Sequence, residues 1–218
     1  MSTIFVNGII HGAAQGFREE KGLTPSKCSG CGRRITEPNL VRQLPRDCRA
    51  KWKEKSMSIA EILEKMIRNA NGNLHDIRHF MSVWGYAKTI GELEGLDVET
   101  QFILEVAAIT HDIACPLLRE RDGNTNHRRQ EIEGEPLVRK FLADTGLTDA
   151  QMDRVAYLVG HHHTLEGIEG LDYQTLIEAD YIVNASEKGY SQANVRNFMD
   201  CYMKTDAGKR MAGAVFGV

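Results

Sequence analysis

The stretch Val98-Glu-Thr-Gln-Phe-Ile-Leu-Glu-Val-Ala-Ala-Ile-Thr-His-Asp-Ile-Ala114 decides the fold. Its apolar residues Ile103, Val106, Ala107 and Ile109 recur at the spacing of a helix face, and the run is too long for an ordinary strand. Pro116 then reads as a stop. Working outward, the same periodicity predicts helices over roughly residues 58–70, 73–93, 128–144, 149–163, 172–187, 191–203 and 205–215. Thr148-x-x-Gln151 forms a capping box at one start, and Gly146 stands where the preceding helix should end. Few segments alternate in strand fashion, and nothing repeats at a fixed period. The expected fold class is therefore all-α, a bundle of about seven or eight helices.

The periodicity stops upstream of Met57. Residues 1–56 hold 11 Lys+Arg against 5 Asp+Glu, frequent glycine and three prolines, whereas residues 57–218 hold 16 against 25. The formal charge of −3 thus averages a +6 portion and a −9 portion. We expect a basic, mostly irregular extension over 1–56, with at most a short hairpin, and the functional domain over 57–218. Met57 would itself serve as a start of translation. The five dispersed cysteines, with no signal-peptide pattern, favour a reducing cytoplasm over a disulfide framework. No run approaches the apolar length of a membrane span. The net acidity argues against a dedicated nucleic-acid partner.

Several helices carry metal-ligand side chains on faces that should be buried. The stripe Met152, Val155, Ala156, Val159 leads to His162 and His163. Leu176, Ile177 and Val183 flank Asp180, a carboxylate that needs a cation or hydrogen-bond donors if it leaves water. Ile103 to Ile109 lead to His111 and Asp112, which diverge by about 100° on a regular helix but can meet where a helix ends. His79 shares a side with Val83, Tyr86 and Ile90. Imidazole and carboxylate ligands without thiolate suit Fe, Mn, Ni or Zn. The internal triplet His161-His162-His163 strengthens the metal reading, while Phe80, Met81, Trp84 and Phe102 sit at helical spacing as core.

His75-Asp76-x-x-His79, then Thr110-His111-Asp112-Ile113, then the histidine cluster, then Glu178-Ala179-Asp180 resembles the HD superfamily of metal-dependent phosphohydrolases over about residues 57–190. The resemblance implies an all-helical domain with His79, His111, Asp112 and Asp180 as metal ligands. It implies a second metal site from His127, His161 and His162 in two-metal members, although Gln130 stands four residues before Gly134 where those members carry histidine. Where many relatives read Ile-Gly-Lys after the His-Asp pair, this chain reads Ile113-Ala114-Cys115. Phosphate contact then falls to other cations: Arg78 and Arg128 foremost, with Lys88, Arg119, Arg121 and Arg129 behind them.

The expected activity is hydrolysis of a phosphomonoester or phosphodiester, plausibly of a nucleotide, with Asp112, His161 and His162 handling protons around a metal-activated water. Two other readings stand beside it: a His-rich di-iron oxygenase, and a silent metal- or ligand-binding regulatory module. A homodimer is compatible with all three. In the extension, Cys28-Ser-Gly-Cys31 is half of a zinc site that Cys48 and His11 could complete, against the plainer reading of a loose basic segment.

Overall fold

The structure, a computed structural model, describes residues 56–218 in full and the backbone of 26–27 and 34–35. The chain divides into two units, Met1–Lys53 and Glu54–Val218. In the first, Ser26–Lys27 (β1) pairs antiparallel with Arg34–Ile35 (β2), Ser26 opposite Ile35. The cysteine cluster and His11 lie outside the described residues.

The second unit is helical throughout, in the order α1 Ile59–Asn69, α2 Leu74–Leu93, α3 Val98–Thr110, α4 Cys115–Asp122, α5 His127–Phe141, α6 Asp149–Val159, α7 Leu171–Glu187, α8 Gln192–Cys201 and α9 Asp206–Phe216. The starts are set by side-chain caps. Ser58 and Glu61 form a capping box on α1, and Thr148 and Gln151 form the expected one on α6. Asn73, Asp97 and Asn126 cap α2, α3 and α5.

Helix α3 is the axis of the bundle, packed against α1, α2, α6 and α7. Every residue from Ile103 to Thr110 is buried, so a helix apolar on all sides is here a core helix. The segment Val98–Asp122 is apolar enough by composition to cross a membrane, yet 72% of its most apolar window is buried inside the fold. The one charge in the middle of α3, Glu105, is satisfied by Trp84 Nε1 (2.8 Å), Gln101 Nε2 (3.1 Å) and Lys88 Nζ (3.3 Å).

Two expectations need correction. The predicted 98–114 helix ends at Thr110, and a separate helix begins at Cys115 with Pro116 in its first turn, so nine helices are present among the described residues. Proline is tolerated there because a first-turn N–H has no intrahelical partner. The predicted 149–163 helix stops at Val159, leaving all three consecutive histidines in the turn that follows. Tyr173 of α7 pins that turn, its hydroxyl 2.7 Å from the carbonyls of both His161 and Thr164.

Candidate metal centre

Four helices and two turns bring the polar residues together. His79 comes from the second turn of α2, and His111 and Asp112 from the turn that closes α3. Asp180 comes from the middle of α7, and His162 and His163 from the turn after α6. His111 closes α3 with its backbone still helical (φ −54°, ψ −41°), so it and Asp112 reach the focus from two sides of the wedge between them, His111 Nε2 3.7 Å from Asp112 Oδ2. Both then face the same point.

The distances describe a single focus. His79 Nε2 lies 3.2 Å from His111 Nε2, 3.2 Å from Asp180 Oδ1 and 3.5 Å from Asp112 Oδ2. His111 Nε2 is 3.6 Å from Asp180 Oδ1 and 3.7 Å from Asp112 Oδ2. The other oxygen of Asp112 is 3.6 Å from His162 Nε2. Ligand atoms of His79, His111 and Asp180 form one group within 4.8 Å of one another, and those of Asp112, His162 and His163 form a second. Asp112 stands between the two and keeps 25% of its side chain exposed, whereas His79, His111, Asp180 and His162 are buried.

The outer nitrogens decide what the inner ones can do. His111 Nδ1 is 2.8 Å from the carbonyl of Ala108, and His162 Nδ1 is 2.7 Å from that of Val159. A carbonyl only accepts, so both rings carry their proton at Nδ1 and point a lone pair inward from Nε2. His79 Nδ1 meets Glu187 Oε2 at 3.1 Å, with the same result. Two such lone pairs facing each other at 3.2 Å repel unless a cation or proton lies between them. His162 Nε2 is buried with no hydrogen-bond partner, a cost of the kind that a bound ion removes. The donor set fits a divalent metal.

Charge within the cluster agrees. Burial alone would lower His79, but Asp180, Asp112 and Glu187 outweigh it and raise its pKa to about 9. Burial likewise opposes ionisation of Asp112 and Asp180, and the surrounding imidazoles nonetheless hold both carboxyls well below the usual range. His163 is driven down to about 2 by burial and by His162. It therefore stays neutral, with Nε2 2.6 Å from Gln130 Oε1 and Nδ1 free to face Asp180. Burial and the adjacent Asp112 push the Cys115 thiol up, so it is not a nucleophile.

Not every sequence candidate arrives at this focus. His161 turns away, its Nδ1 on the Tyr157 carbonyl (2.8 Å) and its ring stacked on Tyr157 at 4.2 Å. His163 stands in the second group instead. His127, the first residue of α5, stacks on His163 with centroids 4.0 Å apart. Gln130 buttresses His163. Arg78 and Arg128 are exposed and carry no ion pair among the described residues, and neither lines the adjoining cavity. Arg119 is held by Asp76, Arg121 by Asp122 and Glu133, Arg129 by Asp122, and Lys88 by Glu92 and Glu105.

That cavity, about 310 Å³, opens beside Asp180, His162 and His163. It is also lined by Tyr181, Asn184, Lys188, Tyr190, Asn194, Asn197 and Phe198. Lys188 is its one basic side chain apart from histidine. Asn184 donates to Asp180 Oδ1 at 2.7 Å, and the Tyr181 hydroxyl donates to Asn194 Oδ1 at 2.7 Å. Sequence reading missed this wall because asparagine and tyrosine on amphipathic helices look like ordinary surface. Glu187 had a usable signal: it lies seven residues after Asp180 and so returns to the same face.

A family model described as HD domain matches residues 76–191, more than half of the 218-residue chain. No curated protein and no solved structure matches. The matched span contains every residue of both ligand groups, while Asn194, Asn197 and Phe198 of the cavity wall lie beyond it.

Proposed function

We propose, because the chain belongs to the HD domain family and that family consists in general of metal-dependent hydrolases, that this protein hydrolyses a small phosphate ester such as a nucleotide. The observation that carries the reading is the convergence of the Nε2 atoms of His79 and His111 with Asp112 and Asp180, beside a cavity of about 310 Å³. A divalent Fe, Mn, Ni or Zn ion held by these four residues would polarise a phosphoryl oxygen and bring the pKa of water towards neutrality.

The chain's own groups supply the rest. Asp112, the most exposed of the four, is placed to orient the attacking water as a hydrogen-bond acceptor. His162 is raised above its usual value by Asp112 despite its burial, so its Nε2 can carry a proton to the leaving oxygen. Asp180 is oriented by Asn184 and serves as ligand. Lys188, which lines the cavity, meets negative charge on the substrate.

The decisive experiment is Asp112→Ala, assayed for bound metal and for turnover of p-nitrophenyl phosphate and nucleoside monophosphates. Loss of turnover is expected; a variant that kept both metal and activity would remove the proposal. The Asp112, His162, His163 group favours one alternative, a two-iron site acting on oxygen. Elemental analysis returning one metal per chain would eliminate that alternative.

A further inference from the structure

The three histidines that aim Nε2 inward are held by different kinds of partner. His111 and His162 each use a neutral main-chain carbonyl three residues back, Ala108 and Val159. His79 alone uses a carboxylate, Glu187, delivered from another helix at 3.1 Å. Glu187 is the last residue of α7, two turns beyond Asp180. One helix therefore offers both a ligand, Asp180 Oδ1 at 3.2 Å from His79 Nε2, and the group behind the same ring, Glu187 Oε2 on its Nδ1.

Glu187 has little else to do. Its side chain is 30% exposed, and its only other ionic neighbour among the described residues is His75 Nε2 at 4.0 Å, itself 74% exposed. A glutamate at a solvent-facing helix end would ordinarily extend into water, and the helix dipole there opposes a negative charge. This one turns inward to a buried ring. A carboxylate on Nδ1–H fixes the tautomer, restrains ring rotation and makes Nε2 a stronger base than a carbonyl partner would.

From this geometry, and resting on the metal-centre reading above, we infer that Glu187 is a positioning residue of the centre. It holds His79 as an inward lone-pair donor and tunes its basicity, so that metal affinity depends on a side chain that is not a ligand.

The test uses the full chain and its Glu187→Ala, Glu187→Gln and His79→Ala variants, stripped of metal. Mn²⁺ affinity is measured by chelator competition, the visible spectrum after Co²⁺ loading, and the urea midpoint without metal. Glu187→Ala should weaken Mn²⁺ binding about 10- to 100-fold. Glu187→Gln, which keeps an acceptor oxygen but loses the charge, should fall between it and the parent and shift the cobalt bands. Without metal, Glu187→Ala leaves the His79 ring without its acceptor and should unfold at somewhat lower urea, whereas Glu187→Gln, which keeps an acceptor oxygen, should stay near the parent. If Glu187→Ala binds Mn²⁺ within twofold of the parent while His79→Ala loses it, the inference about Glu187 fails alone. If His79→Ala also binds like the parent, the metal-centre reading itself fails. A midpoint lowered in metal-free Glu187→Gln as well, with an unchanged cobalt spectrum in that variant, would assign Glu187 to the fold and overturn its role at the centre.

Discussion

Glu178, fully buried two residues before Asp180, offers the sharpest test of how the fold carries the site. Its Oε1 accepts from Gln174 Nε2 (2.7 Å) and from the main-chain N–H groups of Lys204 (2.7 Å) and Thr205 (3.0 Å). Its Oε2 accepts from the Thr205 hydroxyl, which in turn accepts from Gly208 N–H at the start of α9. Glu178→Ala leaves two main-chain donors without an acceptor, at about 1–3 kcal/mol each, and removes a charge-assisted hydroxyl bond as well. Gln174 keeps the Tyr202 carbonyl at 2.9 Å and offsets a little of this. The expected loss is about 3–6 kcal/mol, a large share of a typical domain's 5–15 kcal/mol. Glu178→Gln keeps Oε1 for the two main-chain donors but sets an NH2 against the Thr205 hydroxyl, which must turn its proton away, so it should cost about 1–2 kcal/mol. Urea unfolding of the metal-free proteins followed by far-ultraviolet circular dichroism measures both, and Glu178→Ala should also melt on the order of 10 °C lower. An alanine variant within about 1 kcal/mol of the parent would refute the view that this carboxylate anchors the C-terminal helices onto α7.

Three further outcomes follow from the same geometry. A divalent ion must displace the proton that the site's carboxylates hold on His79 up to about pH 9, so Mn²⁺ affinity should climb about tenfold per pH unit below that value and level off above it. A flat titration from pH 7 to 9 would contradict this. His162→Ala should lower turnover of p-nitrophenyl phosphate about 10²- to 10⁴-fold while His161→Ala stays within about threefold of the parent, and equal losses would show that the two rings share the chemistry. Gly134→Ala would put a Cβ 3.0 Å from Val159 Cγ1, displacing the residue whose carbonyl orients His162. Crowding of about 1–2 kcal/mol, offset by about 0.5–1 kcal/mol of helix propensity gained, should leave a small net loss in thermal unfolding, and a raised melting temperature would mean that the contact yields freely.

Much of this was legible in sequence because amphipathic periodicity is a local property. The apolar stripes of residues 59–69, 74–93 and 149–159 name their buried faces, and metal ligands on such faces are conspicuous because a buried imidazole or carboxylate needs a partner. His79, His111, Asp112 and Asp180 could be read in this way, each from its own helix. The break at Thr110 could not, since Pro116 is equally compatible with a stop and with a first turn. Nor could the end of α6 at Val159, which places His162 and His163 in the centre and turns His161 onto Tyr157.

The sequence by itself determined the helical class and pointed to His79, His111, Asp112 and Asp180, because helix periodicity and the cost of burying such side chains can be read along one chain. Tertiary structure alone decided which nitrogen of each ring faces inward, that Glu187 stands behind His79, and that Lys188 and the asparagines of α7 and α8 wall the cavity. Those relations join residues as much as 108 positions apart, as Glu187 and His79 are. No local pattern encodes them, and they exist only once the helices have packed.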